Sequence, residues 1–296
     1  MISIIVASVN PIYLEKLTLN IAQKIGVPYE LLVFENEAQK GLCELYNLGA
    51  EQAKYELLCY MHEDIEISSD NWGYLVADYF KRSDLGILGL AGSGYKSFVP
   101  SGWGADDPKK SLNFRNFVQH FKRIEQAPFH EYFNPNQSSE AEVVTLDGMW
   151  FCTTKSVCKE FPFDELTLKG FHGYDLDFCL SVGRKYKLLV IYDVLLTHFS
   201  EGGYNKDWIE DTLALHHKWN DTLPRNSVKI ARKQKMVIEF RNLRGFIRRL
   251  IALDYDRNRI LEVFDNYQAQ LSWYFRIKLK FYLYKAFLKQ KKDLVQ

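Results

Sequence analysis

Three apolar runs, each closed by polar residues and followed by a helix-length amphipathic segment, constrain this chain more than any other feature. "ISIIVASV" ends at Asn10 and Pro11, "YELLVFENEA" carries Glu35 and Asn36 at its end, and "YELLCYMHED" ends at His62, Glu63 and Asp64. After the first run, Leu14, Leu17, Ile21 and Ile25 recur three and four residues apart, the stripe of an amphipathic helix. Residues 42 to 54 and 71 to 82 read as helices in the same way. Strands alternating with helices of this length predict βαβ units and a parallel sheet with right-handed connections. Ligands of such α/β sheets bind beyond the carboxyl ends of the strands. Three consecutive strands therefore deliver polar groups to one edge.

Downstream, residues 85 to 90 form another apolar run, followed by the Gly-rich, aromatic "AGSGYKSFVPSGWGADDP". Residues 105 to 140 are polar with little periodicity, and a long, partly helical insertion around a cleft is expected there. "EVVTLDGMWFCTT" reads as strand, turn at Asp147-Gly148 and strand; "FHGYDLDFCLSVGRKY" opens a helix with acids near its start; "KLLVIYDVLLTHFSEGG" is a strand pair ending at His198.

With 296 residues, 47% hydrophobic and 25% charged, the chain has the composition of a folded soluble protein, which excludes disorder and a multispan membrane protein. "MISIIVASVN" lacks a basic start and a small-residue cleavage site, so it is expected to be a strand rather than a secretion signal. No run of about 18 apolar residues predicts a spanning helix. Cys43, Cys59, Cys152, Cys158 and Cys179 contain no CxxC pair and are expected as reduced, buried thiols in the cytoplasm. The net charge of +1 conceals +12 on residues 225 to 296 and −11 on residues 1 to 224, an asymmetry that marks a boundary.

A strand ending in an acid cluster, a strand–Asp-Gly–strand unit, a Gly-aromatic-Asp-x-Asp helix start and a strand ending in His resembles the GT-A nucleotide-sugar glycosyltransferases of the family 2 type. The likeness covers about residues 1 to 223, with 224 to 296 as a basic helical extension. It implies a Rossmann-like, mostly parallel sheet flanked by helices. It implies transfer of a sugar, with inversion, from a UDP- or GDP-linked donor to a saccharide or lipid-linked saccharide in surface polysaccharide or lipopolysaccharide assembly.

His62-Glu63-Asp64 looks like that family's Asp-x-Asp motif, with Asp64 as its metal-binding acid and His62 where the first Asp usually stands. Hard cations such as Mg2+ and Mn2+ favour carboxylate oxygens. His198 looks like the histidine that completes the metal site from a later strand, and neutral imidazole also binds Mn2+. The likeness implies an acceptor-activating base at Asp175 or Asp177, with Asp175 preferred, because an inverting displacement needs a carboxylate beside the attacking hydroxyl. Two acids also favour any helix start. Ala7, Val9, Asn10, Glu35, Asn36 and Asn47 would line the nucleoside site, although helix packing accounts for Asn47 equally well. Asp147 and Gly148 would form the turn on the acceptor side, and Trp103 and Trp150 offer faces for sugar stacking or ordinary core material.

Between Trp273 and Leu288, twelve of sixteen residues are apolar and the exceptions are Arg276, Lys278, Lys280 and Lys285. Residues 270 to 296 suit an anionic membrane surface, which would make the protein peripheral at the inner face of the membrane. Packing on the catalytic domain or in a homodimer competes with that reading, and no nucleic-acid module accompanies the charge. Two other functions compete. A sugar nucleotidyltransferase needs a Gly-rich basic loop after its first strand, which "ASVNPIYLEK" lacks. A binding protein that lost catalysis would be consistent with His62.

Overall fold

The alternation of side chains along "ISIIVAS" sends Ile4 and Val6 into one apolar core and Ile5 into another, so this first strand lies inside a sheet covered on both faces. The computed structural model describes residues 1–35, 40–122, 125–200 and 202–293. In chain order they form β1 (Ile2–Ser8), α1 (Pro11–Lys24), β2 (Tyr29–Glu35), α2 (Leu42–Gln52), β3 (Leu57–Met61), β4 (Ile65–Ile67), α3 (Trp72–Tyr79) and β5 (Leu85–Gly89). Then come β6 (Ala91–Ser93), β7 (Tyr95–Lys96), β8 (Asn113–Gln119), β9 (Phe129–Phe133), β10 (Glu140–Val143), β11 (Thr145–Leu146) and β12 (Trp150–Thr154). The rest is α4 (Lys155–Glu160), α5 (Tyr174–Val182), β13 (Lys187–Ile191), β14 (Leu196–His198), α6 (Lys206–Lys218), β15 (Arg225–Asn226), α7 (Arg232–Ala252), α8 (Arg257–Tyr267) and α9 (Trp273–Asp293).

Among the described residues, the main sheet has the order β10-β13-β5-β12-β3-β1-β2. β2, β1 and β3 are mutually parallel, β12 opposes β3 and β5, β13 follows β5, and β10 opposes β13. Five of the seven strands thus share one direction, as the alternating pattern predicted. A second sheet, β11-β6-β8-β14-β4 with β9 beside β8, stands over the carboxyl ends of the first. Asn10 caps α1 by accepting from the amides of Ile12 and Tyr13, and Pro11 occupies the first helical turn.

The expectation of a partly helical insertion at 105 to 140 is corrected: its described residues form strands β8 and β9 and no helix. Asn116 is buried in β8 and donates to the carbonyls of Tyr192 and Val194, both at 2.8 Å. Polar residues satisfied across strands conceal the period-two pattern that would have marked them. All five cysteines are buried and free.

The basic C-terminal region is helical. Leu243, Phe246 and Leu250 of α7 pack with Ile260 and Phe264 of α8 and Leu279 and Leu283 of α9. α7 is also pinned to the rest of the chain. Glu239 accepts from the Tyr95 hydroxyl at 2.6 Å and from the amides of Phe98 and Val99, both at 3.1 Å. No helix among the described residues is long and apolar enough to cross a membrane.

Candidate active site and metal centre

The carboxyl end of β3 turns immediately into β4, and β14 pairs antiparallel with β4, setting His198 opposite Ile65. The Phe199 amide donates to the Asp64 carbonyl at 2.9 Å and locks this register. His198 therefore stands over Asp64 despite being 134 positions away in sequence. Nε2 of His198 lies 3.5 Å from Asp64 Oδ1 and 3.5 Å from His62 Nδ1, and His62 Nδ1 lies 4.0 Å from Asp64 Oδ1. The centre of that triangle is about 2.1 Å from each corner, the bond length of a small divalent cation to nitrogen or oxygen. Asp64 divides its oxygens: Oδ1 faces the imidazoles, and Oδ2 accepts from Lys122 Nζ at 3.0 Å. Burial pushes the Asp64 carboxyl up, but His198, His62 and Lys122 together hold it well below the usual carboxylate range. Burial first, then the neighbouring His198, pushes His62 down, favouring the neutral imidazole that a metal requires. Two imidazoles and a carboxylate fit a divalent transition metal better than Mg2+, which favours oxygen ligands.

The Asp147-Gly148 turn sits at the same edge, because Trp150 pairs with Met61 and the His62 amide donates to Met149 O at 2.9 Å. The Gly148 amide donates to Asp175 Oδ2 at 3.1 Å, and the Leu176 amide donates to Oδ1 at 2.9 Å. Burial and the nearby Asp147 charge push the Asp175 carboxyl up to about 7. Tyr174, beside it, lies 3.0 Å from His62 Nε2 and donates to the Gly148 carbonyl at 3.3 Å. A Cβ on Gly148 would fall 2.1 Å from that hydroxyl, so glycine is required for this approach. A cleft of about 450 Å³ opens above these groups, with Ala7, Val9, Glu63 and Trp103 in its lining.

Over residues 3–222 the sequence matches the family described as "Glycosyltransferase like family". The chain belongs to this family. The fold is shared with GalNAc-T7, solved with UDP, GalNAc and Mn2+, at 14% identity and a TM-score of 0.53 over 75% of this chain and 48% of that one. It is shared also with S. aureus TarS 1-349 in complex with UDP, at 13% identity and a TM-score of 0.52 over 96% of this chain and 87% of that one. The chain thus spans about half the length of the GalNAc-T7 chain. No curated protein matches. These likenesses confirm the GT-A fold expected from the sequence.

Of the residues expected to serve a glycosyltransferase site, Ala7, Val9, His62, Glu63, Asp64, Trp103, Asp147, Gly148 and Asp175 line one cleft, and His198 joins them through Asp64. Several others lie elsewhere. Asp177 is buried, accepts from Trp219 Nε1 at 2.7 Å and pairs with Lys218 at 2.7 Å, so it ties α5 to α6 and does not face the cleft. Trp150 is fully buried, edge-on to Trp72 with ring centres 5.9 Å apart, and has no face for a sugar. Asn47 exchanges hydrogen bonds with the backbone of Phe163 at 2.9 and 3.0 Å, the packing role. The Asn10 side chain is spent on the α1 cap, and Glu35 ends β2 at an exposed position outside the cleft lining. Asn36 lies outside the described residues. Glu63 is no idle turn residue: its Oε2 accepts from Ser8 Oγ at 2.6 Å and from the amides of Val9 and Asn10 at 3.2 and 3.0 Å. It shapes the β1–α1 loop that floors the cleft.

Sequence reading missed Lys122 and Tyr174 beside the His62-Asp64-His198 cluster, and Tyr204 and Trp208 on the cleft wall. Nothing local distinguishes them; only the strand β8 and the helix starts of α5 and α6 bring them here. The Trp103 loop is fixed from below by the buried Lys96 amine, whose burial pushes its pKa down to about 7. Lys96 Nζ donates to Ser101 O at 2.5 Å and to Gly102 O at 3.1 Å, and His216 Nε2 accepts from the Ser101 amide at 3.2 Å. The Arg115 guanidinium covers the Trp103 ring at 5.0 Å.

Proposed function

We propose that this protein transfers a sugar, with inversion, from a nucleoside diphosphate donor to a hydroxyl of a saccharide or lipid-linked saccharide. The observation that carries this reading is the placement of Asp175 in the cleft that His62 and Asp64 of the His62-Asp64-His198 cluster also line, with burial and Asp147 pushing its carboxyl up to about 7. A base near neutrality takes a proton efficiently at physiological pH. Residues 1–223 are the proposed catalytic domain and 224–296 a basic helical extension.

His62 Nδ1, Asp64 Oδ1 and His198 Nε2 are the proposed ligands of a divalent cation, with Mn2+ favoured over Mg2+ by the donor set. When bound, the cation neutralises charge on the departing diphosphate. The chain's own residues do the rest. The end of β1 and the β1–α1 loop, held by Glu63, line the nucleoside side through Ala7 and Val9. Trp103 limits the acceptor side. An Asp175 oxygen accepts the acceptor hydroxyl proton as the new glycosidic bond forms and the bond to the diphosphate breaks, while the Gly148 amide holds that carboxylate in place.

UDP in the GalNAc-T7 and TarS structures supports a uridine donor. Surface polysaccharide or lipopolysaccharide assembly on the cytoplasmic face is the proposed setting. The test is calorimetric titration with UDP- and GDP-sugars, with and without Mn2+, followed by transfer assays on wild type and Asp175→Asn. Donor binding retained and transfer lost in the variant is the expected result. A fully active Asp175→Asn would remove the assignment.

A further inference from the structure

Helix α9 has two apolar faces. Leu279 and Leu283 are buried against α7 and α8, and Phe275 stacks on Phe240 with ring centres 4.4 Å apart. On the other side Trp273, Tyr274, Ile277, Phe281, Tyr284 and Leu288 are exposed, with Trp273 at 73% and Tyr284 at 62%. From Tyr274 onward these residues are spaced 3, 4, 3 and 4 apart, one continuous stripe. At about 100° per residue the stripe occupies roughly 100° of the helix surface. Lys280 borders it on one side and Lys278 and Lys285 on the other. Lys278 Nζ lies over the Tyr274 ring, 4.6 Å from its centre, and Lys285 Nζ over the Phe281 ring, 4.5 Å from its centre, so these charges sit directly against the apolar stripe. No acid occurs between Trp273 and Leu288.

We propose that this outer face of α9 is a docking surface for an anionic lipid bilayer, with the six apolar side chains entering the headgroup boundary and the three lysines meeting lipid phosphates. Charge decides the occupant. A second copy would bring the same lysine borders together along the seam, where like charges oppose each other. An anionic bilayer supplies both the apolar interior and the complementary charge. The helix lies in the interface and does not span it. The purpose of this placement rests on the lipid-linked acceptor reading above, but the measurement does not: vesicle binding needs no donor, no acceptor and no transfer.

The experiment is co-flotation of the full chain with vesicles of phosphatidylcholine alone or mixed with phosphatidylglycerol, at low and high salt. Wild type is expected to float with mixed vesicles at low salt only. The triple variant Ile277→Ser, Phe281→Ser, Tyr284→Ser alters exposed positions and keeps the buried face, so its circular dichroism should match wild type and its partition coefficient should fall at least about tenfold. The variant Lys278→Gln, Lys280→Gln, Lys285→Gln should fall by about a hundredfold, on the order of tenfold or less per lysine. Undiminished flotation of either folded variant overturns the proposal, as does equal binding to phosphatidylcholine alone. So does a wild-type dimer in light scattering that the serine variant converts to monomer without any vesicle binding by wild type.

Discussion

The Tyr174 hydroxyl stands between His62 Nε2, at 3.0 Å, and the Gly148 carbonyl, at 3.3 Å. With its proton given to the carbonyl, its oxygen is the acceptor for Nε2–H of His62, the tautomer that metal binding through Nδ1 needs. The lone pair of His62 is thereby left on Nδ1, the atom that faces His198 and Asp64. An imidazole whose far nitrogen is held in this way is fixed in tautomer and orientation for metal binding. Tyr174→Phe keeps the ring and removes this restraint. We expect Mn2+ affinity to fall roughly 10- to 100-fold with the melting temperature little changed. Calorimetry with Mn2+ alone measures it, and undiminished affinity would show that His62 needs no such partner.

Gly148 serves both halves of the site. Gly148→Ala places a methyl 2.1 Å from the Tyr174 hydroxyl, a separation no rotamer change of a single methyl can relieve. Displacing the tyrosine should cost about 1–3 kcal/mol of stability and weaken both metal binding and transfer. Combining Gly148→Ala with Tyr174→Phe removes the atom in conflict and should restore part of the lost stability, as read by denaturant unfolding.

The two acids of α5 should separate cleanly. Asp175→Asn is expected to leave donor binding intact, without loss of stability, while slowing transfer by about 10²–10⁴. Asp177→Ala breaks the buried pairing with Lys218 and Trp219 and should destabilise the protein by about 2–4 kcal/mol, a value reduced from the fully buried case because Lys218 is partly exposed. Transfer measured below its unfolding temperature should survive. An Asp177 variant that is stable but inactive would reverse the two roles.

Acidity gives an independent check. Asp175 must be ionised to accept a proton, and its carboxyl is raised to about 7. Transfer should therefore rise with pH, reach half its limit near pH 7 and level off above it. The sign for stability is opposite: a carboxyl raised in the folded state favours folding while protonated, and that contribution is lost as pH rises through about 7. Asp175→Asn should accordingly gain stability relative to wild type progressively from about pH 4 to about 7, and keep that gain at higher pH, in thermal unfolding. A pH-independent rate would argue against this residue as the base.

The α7 contacts predict an effect across the chain. Glu239→Ala leaves the Tyr95 hydroxyl and the amides of Phe98 and Val99 without their buried acceptor. Each such loss costs about 1–3 kcal/mol, and the loop that carries Trp103 is the segment released. The apparent KM for acceptor should rise more than that for donor in steady-state assays at a temperature where the variant stays folded.

The sequence by itself determined the α/β class and the polar edge, because alternation of apolar runs with amphipathic helices is a local property; the pairing of His198 with the acid cluster was implied only by the family resemblance, and the β14–β4 register brings it about. Tertiary structure decided which of the singled-out side chains face the cleft. Asp175 and Asp177 lie about 200° apart around one helix, and only the packing of α6 against that helix shows which of them is buried on Lys218 and which opens to the cleft. Trp103 and Trp150 were both candidate sugar-stacking faces, yet pairing of β12 with β3 encloses Trp150 while a loop brings the half-buried Trp103 to the cleft. The insertion carrying β8 and β9 was unreadable because its buried Asn116 is satisfied across strands. In α9 the stripe was hidden because apolar residues line both the packed and the outer face, so their directional signals cancel until the neighbouring helices show which face is covered.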